Sequence, residues 1–143
     1  MGKTFKSLKK GKHKSYKIYS EEKGITKIFL EILLMIKLFH WKTSSYATHK
    51  ATDELYSSLN EHIDKFIEVF LGKTGTRIDL TNIKTISLID LNSSDQLKSK
   101  IKHFKHYLDN LTNNKVMNSS DLLNIRDEIL ADLNQFLYLL TLK

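Results

Sequence analysis

The sequence has 143 residues, of which 23 are lysine or arginine and 16 are aspartate or glutamate, and it contains neither cysteine nor proline. A chain of this length is typical of one domain that buries its own core without cross-links. The absence of cysteine excludes a disulfide framework, thiol catalysis and cysteine metal sites, and it favours an intracellular protein.

The basic charge is concentrated at the N-terminus of the chain. Residues 1–19 hold seven lysines and no acid, whereas the other 124 residues hold 16 basic and 16 acidic groups. The sequence therefore predicts a flexible, disordered arm over 1–19 and a neutral domain over 20–143. Such an arm would bind a polyanion such as DNA without reading its sequence, although a purely solubilising tail has the same composition. Its lysines are Lys3, Lys6, Lys9, Lys10, Lys12, Lys14 and Lys17.

Apolar residues recur at helical spacing in four segments of the neutral domain. The predicted helices cover about residues 21–43, 47–71, 95–113 and 120–142, and serine, asparagine or glycine marks most of their ends. The apolar run over 28–39 is too short and too charged to span a membrane, so no membrane partner is expected. The sequence therefore predicts an all-α fold with short turns inside two helical hairpins.

The connection over 72–94 is the longest between the predicted helices. A segment of this length suffices to cross a bundle from end to end, which would leave the second and third helices parallel. Two hairpins joined by one such crossover form the ferritin-like topology, which differs from a simple up-down-up-down bundle. We therefore expect a ferritin-like four-helix bundle with a basic arm at its N-terminus.

Four side chains that could ligate a metal share one stripe of the second predicted helix. At 100° per residue they fall within an arc of about 100°. Asp53 and Asp64 lie about 16 Å apart along the helix axis, so one ion can reach both only if two such helices pack antiparallel about a twofold axis. Two interfacial sites would then suit iron, zinc or manganese, although the same charges are typical of a solvated helix face. The four residues are His49, Asp53, Asp64 and Glu68.

The motif around this stripe resembles the ferroxidase signature of the Dps-type mini-ferritins, which belong to the ferritin-like superfamily. In that family a His-Trp pair at the end of the first helix precedes His-x-x-x-Asp and Asp-x-x-x-Glu on the second, and here the pair is His40-Trp41. Residues 40–51 are most similar to the short Dps-like proteins of large DNA viruses and phages. The resemblance implies that Lys37 and Trp41 lie beside an iron site. Its implied ligands are His40, His49, Asp53, Asp64 and Glu68.

The same resemblance implies a function and a location. A Dps-like protein would bind iron at twofold dimer interfaces, oxidise Fe(II) with peroxide or oxygen, and coat DNA through the N-terminal lysines. It would act inside the cell, in the cytoplasm or on the nucleoid, or within a virion. The ferroxidase activity and the extension of the dimer into a larger shell stay open at this point. The alternative is a non-enzymatic protein on the same fold that compacts nucleic acid or forms part of a virion.

Overall fold

The computed structural model describes the backbone of residues 3–142 and the side chains of residues 21–142. All regular secondary structure in this part of the chain is helical, which confirms the predicted all-α class. Its elements are α1 (Lys3–Lys42), α2 (Tyr46–Thr74), α3 (Ser94–Asp109), a short 3-10 helix (Asn110–Asn113) and α4 (Ser120–Leu139), and none of them is a strand. No helix in the described residues is long and apolar enough to cross a membrane.

The start of α1 is the largest difference between the predicted and observed helix bounds. The helix begins at Lys3, whereas the sequence predicted a start near residue 21 after a disordered arm. Residues 3–20 contain no proline, and lysine has a high helix propensity, so the arm carries no strong signal that would stop a helix. The seven arm lysines lie outside the residues whose side chains the structure describes.

Local signals in the sequence set the starts of α2 and α3 and the end of α2. The Ser45 hydroxyl at the start of α2 and the Ser93 hydroxyl at the start of α3 each accept a hydrogen bond, 3.2 Å long, from the backbone N–H three residues further on. The sequence predicted that α2 stops at Gly72, but the helix continues to Gly75. Gly75 has a φ of 68°, the left-handed conformation that glycine adopts without strain at a helix end.

Side-chain contacts between the helix ends show that α1 and α3 are antiparallel neighbours. The Lys42 ammonium at the end of α1 donates to Asp90 at 3.0 Å and to Asn92 at 2.8 Å, just before α3 begins. At the opposite end of the bundle, the Asn114 amide donates to the Glu21 carboxylate at 2.9 Å. The helix α3 therefore runs from the end of α1 back towards its beginning.

The segment 75–93 crosses the bundle between the ends of α2 and α3. Near its beginning, the Thr76 hydroxyl donates to Glu22 at 2.9 Å, and in its middle the Ser87 N–H donates to Glu31 at 3.2 Å. Because it finishes beside Lys42, the segment runs along about 30 Å of α1 at 1.5 Å per residue. The helices α2 and α3 therefore point in the same direction.

The core is closed by an aromatic group that joins three of the helices. The Phe29 ring of α1 meets the ring of Phe66 in α2 at 5.5 Å and that of Phe104 in α3 at 6.1 Å, both edge to face. Helix α4 completes the core with Ile129 and Leu133, which are fully buried. Packing on this core fixes the rotation of α2 and thereby decides which of its side chains point outwards.

Candidate metal centre

The tight turn between α1 and α2 brings two histidines into stacking contact. Only residues 43–45 separate the two helices, and the Thr43 N–H still donates to the Phe39 carbonyl at 2.9 Å. His40, in the last turn of α1, and His49, in the first turns of α2, therefore face each other. Their ring centroids are 3.8 Å apart with an angle of 22° between the ring planes.

The two histidines hold each other through reciprocal hydrogen bonds to the backbone. His40 Nδ1 lies 2.9 Å from the carbonyl oxygen of His49, and His49 Nδ1 lies 3.0 Å from the carbonyl oxygen of His40. A carbonyl oxygen can only accept, so each Nδ1 carries a proton and donates it. In the neutral rings the lone pairs of both Nε2 atoms are then free to bind a metal ion. Metal-ligating histidines in proteins are typically oriented by this kind of hydrogen bond.

Thr52 is a member of the site that the sequence prediction missed. Its side chain is fully buried between the two helices, and its oxygen lies 3.2 Å from His40 Nδ1. The Thr52 hydroxyl donates to the carbonyl of Thr48 at 2.8 Å or that of His49 at 3.0 Å, so its oxygen is free to accept from His40. The signal in the sequence was a polar residue three positions after His49, on the side of α2 that faces α1.

Asp53 places a carboxylate beside His40. Its Oδ1 lies 3.9 Å from His40 Nε2 and also 3.9 Å from the Lys37 ammonium. Two atoms that ligate one tetrahedral ion at 2.1 Å stand about 3.4 Å apart, so a small movement brings Asp53 and His40 to ligand distance. The Lys37 ammonium also lies 4.1 Å above the Tyr56 ring, which holds this cation at the edge of the cluster.

Asp64 and Glu68 lie on the same exposed side of α2 but further along the helix. Both side chains are exposed, and eleven residues separate Asp53 from Asp64, which corresponds to about 16 Å. The single chain therefore brings together His40, His49 and Asp53, with Lys37 beside them, and leaves the other two acids apart. Within the described residues, no three His, Asp or Glu side chains of one chain are placed to hold a metal ion.

An apolar stripe on α1 borders this part of α2. Leu30, Leu34 and Trp41 are 41%, 37% and 72% exposed, and at 100° per residue they share an arc of about 40°. Lys37 lies on the same side of α1 and reaches across to Asp53, so the stripe and the α2 carboxylates form one surface. We call this surface the α1/α2 face.

Comparison with known proteins places the chain in a family. Residues 40–140 match the family described as "Family of unknown function (DUF5856)". The chain belongs to this DUF5856 family. A 38-residue segment is also 50% identical to the "Uncharacterized 14.6 kDa protein in mobD-ri intergenic region" of Enterobacteria phage T4. That match covers 27% of this chain and 30% of the phage protein, and no solved structure matches the chain.

The part of the chain that matches DUF5856 begins at His40 and includes all five candidate ligands. It also includes a second polar cluster, which the sequence did not predict. His62 Nδ1 lies 2.6 Å from Asp132 of α4, and His62 Nε2 lies 3.7 Å from Glu128. Both ring nitrogens thus face carboxylates, and this cluster ties α2 to α4 on the side away from α1. In this member of DUF5856, His62 lies between two carboxylates of α4 and is separate from the stacked histidines.

Proposed function

We propose that this protein is a Dps-like mini-ferritin that binds Fe(II) between two antiparallel copies of α2, oxidises it, and protects DNA. The observation that carries the proposal is the stacked pair of histidines whose Nδ1 atoms both donate to backbone carbonyls. This arrangement leaves both Nε2 lone pairs free, and His40 Nε2 lies 3.9 Å from the Asp53 carboxylate. Imidazole together with carboxylate is a donor set that suits Fe(II), with zinc and manganese as other ions of similar preference.

The spacing of the ligands along α2 supports a twofold arrangement. The midpoint between residues 49 and 68 coincides with the midpoint between residues 53 and 64, and both lie between residues 58 and 59. If two copies of α2 cross antiparallel at that point, His49 and Asp53 of one chain lie opposite Glu68 and Asp64 of the partner subunit. The His49/Asp53 pair of one chain then meets the Asp64/Glu68 pair of the partner subunit, and symmetry forms this site twice, once on each side of the axis.

The α1/α2 face has the composition that such a dimer requires. Ser57 and Asn60 are the exposed residues nearest to the proposed axis, and their short side chains let two helices approach closely. Leu30 and Leu34 flank them and would lose their contact with water on association. The crossover 75–93 lies along the opposite side of α1, beside α3, and leaves this face open. The same crossover, with α2 and α3 parallel, is the connectivity of the ferritin-like topology.

Fe(II) is the substrate in this proposal. Oxidation of two Fe(II) ions by one molecule of hydrogen peroxide transfers two electrons, consumes two protons and yields two Fe(III) ions and two water molecules. The chain contributes the ligands that bring the ions to the interface and the carboxylates that balance their charge. Removing Fe(II) and peroxide together prevents the formation of hydroxyl radicals next to DNA.

The DNA-binding part of the proposal rests on the lysines at positions 3–17. Seven ammonium groups without an acid among them would contact phosphates without reading bases, since lysine provides a point charge and not a bidentate fork. The similarity to a protein of Enterobacteria phage T4 supports a viral context, either inside an infected cell or within a virion.

The experiment that tests the iron site measures Fe(II) oxidation in the full-length protein and in an Asp64→Ala/Glu68→Ala variant. A Glu54→Ala/Glu61→Ala variant is the matched control, because it removes two exposed carboxylates from the same helix outside the proposed ligand set. The proposal expects oxidation to be lost in the first variant and kept in the control. Equal rates in all three proteins would refute the ferroxidase.

Crystals soaked in Fe(II) provide an independent readout of the same site. Anomalous density is expected between His49 of one chain and Asp64 of the partner subunit. Absence of bound iron, together with salt-sensitive DNA binding, would instead identify a structural protein that compacts nucleic acid.

A further inference from the structure

The charges of the bundle are separated onto different helices, although they sum to zero over residues 20–143. Helix α3 holds four lysines and two histidines within nine consecutive residues, 98–106, without an acid among them. Helix α4 holds four acids and one arginine, and α2 holds five acids and three lysines. The neutral domain therefore has one basic surface of its own, independent of the N-terminal arm.

Three of the α3 lysines form a stripe along the border between the buried and the exposed side of the helix, where Lys102 is exposed and Lys98 and Lys105 are half-buried. Lys98, Lys102 and Lys105 lie within an arc of about 60° at 100° per residue and rise about 10 Å along the axis. The buried residue Ile101 lies about 40° from Lys105, so the stripe borders the buried side of the helix. We call these three lysines the α3 stripe.

Like the scattered Lys50, Lys65 and Lys84, the lysines of the α3 stripe lack a close carboxylate partner among the described residues, but they are gathered on one arc of one helix. Lys42 and Lys73 each lie 3.0 Å from a carboxylate, and Lys37 lies 3.9 Å from Asp53. Among the described residues, Lys102 and Lys105 have no carboxylate within 4.0 Å, and Lys98 only reaches the exposed Asp95 at 4.0 Å. Lysines without an internal partner are neutralised by counterions from solution, and a polyanion gains affinity by releasing those ions.

We propose that the α3 stripe is a second DNA-binding surface, which contacts the phosphates of a duplex alongside the N-terminal arm. This inference rests on the DNA binding proposed above and extends it to the folded domain. The Asn114–Glu21 contact sets the end of α3 beside residue 21, where the arm joins the bundle. A duplex held by the arm therefore passes the end of the bundle at which Lys105 lies.

The chemistry of the stripe favours nucleic acid over a membrane surface. Its exposed neighbours on the same side of α3 are Ser99, His106 and the terminal Asp95 and Asp109, so the side that carries the lysines presents no large apolar group. A helix that binds a lipid surface buries an apolar face beneath its basic residues, whereas the apolar face of α3 is already buried in the core. Lysines spaced about 4.5 to 6 Å apart along a straight helix suit a row of phosphates.

The test compares DNA binding of the full-length protein with that of a Lys98→Gln/Lys102→Gln/Lys105→Gln variant. A Lys50→Gln/Lys65→Gln/Lys84→Gln variant is the matched control, because it removes the same charge from exposed lysines on α2 and the crossover. Binding of a fluorescent duplex of random sequence is measured by anisotropy between 50 and 200 mM salt, with a chelator present. Circular dichroism and thermal melting establish that each variant is folded.

Three phosphate contacts contribute about 2.7 to the slope of log K against log salt for duplex DNA. The affinity ratio of wild type to the α3 variant should therefore shrink about 40-fold between 50 and 200 mM salt, while the ratio of wild type to the control variant stays nearly constant. An equal loss in both variants would refute the stripe, because total charge alone would then account for binding.

A full-length variant with the seven arm lysines changed to glutamine separates this inference from the proposed function. If the arm variant loses affinity and the α3 variant binds as wild type, DNA binding by the arm stands and the α3 stripe is refuted. If neither variant changes the affinity, both are refuted. Binding of the α3 stripe to vesicles of phosphatidylcholine and phosphatidylserine, without an effect on DNA binding, would also overturn the inference.

Discussion

Two chains that are each broken in one half of the candidate metal site should restore part of the Fe(II) oxidation when they pair with each other. The first chain carries His49→Ala/Asp53→Ala, and the second carries Asp64→Ala/Glu68→Ala. Each forms inactive dimers on its own if every site takes one half of its ligands from each subunit. A mixed dimer contains one site with both halves intact and one site with both halves broken.

The size of the recovery follows from the geometry of α2. Eleven residues, about 16 Å, separate Asp53 from Asp64, so a single chain cannot bring both halves to one ion. Random pairing of equal amounts makes half of the dimers mixed, and each of these holds one intact site out of two. The mixture should therefore show about a quarter of the wild-type activity and bind about a quarter of the wild-type iron.

The assay co-refolds the two variants in equal amounts and measures the initial rate of Fe(II) oxidation by peroxide, together with bound iron. A mixture of His49→Ala and Asp53→Ala chains is the control, because both lesions lie in the same half and no mixed dimer contains an intact site. Recovery in the control to the same level as in the test would refute a site shared between chains. A test mixture as inactive as its separate components would refute it as well.

Three further perturbations test the dimer, the core and an ionisable side chain. Leu34→Glu should convert dimers into monomers, as measured by light scattering. Leu142→Glu makes the same substitution at an exposed leucine near the C-terminus and should leave the dimer intact. An unchanged mass for Leu34→Glu would exclude the α1/α2 face as the interface. Phe29→Ala should lower the free energy of unfolding by about 3 to 5 kcal/mol in urea titrations, and a loss below about 1 kcal/mol would contradict its central position in the core. Burial and then the charge of Glu21 raise the pKa of Tyr107 from 10.0 to about 12. Because the unfolded chain ionises this phenol first, the contribution of Tyr107 to stability should be constant below about pH 10 and be lost between pH 10 and 12. Tyr107→Phe should lessen the fall of stability in that range, and identical pH profiles for both proteins would refute the assignment.

Much of the helical organisation was predictable because it depends on short-range patterns. The apolar series Leu55, Leu59, Ile63, Phe66 and Phe70 repeats every three to four residues, and all five side chains are buried in the structure. Serine caps and a glycine stop set the bounds of α2 to within a few residues of the prediction. The beginning of α1 was not predictable in this way, because a lysine-rich segment without proline carries no strong stop signal.

The candidate metal centre was predictable as a set of residues and not as a geometry. The spacing of His49, Asp53, Asp64 and Glu68 already places them on one stripe of a helix, since helical periodicity alone decides that. The hydrogen bonds that orient His40 and His49 depend on where two backbone carbonyls lie after the hairpin has closed. Thr52 joins them because the same hairpin buries its hydroxyl against His40.

The sequence by itself determined the all-α class, the neutral sum of the domain charge and the stripe of acids on α2, because each depends on residue identity and helical spacing. Only the tertiary structure decided which charges find partners. Lys42 and Lys73 meet carboxylates that are distant in sequence, whereas Lys102 and Lys105 do not within the described residues. Ion pairing depends on distances of a few ångströms between separate helices, and the packing of the core sets those distances.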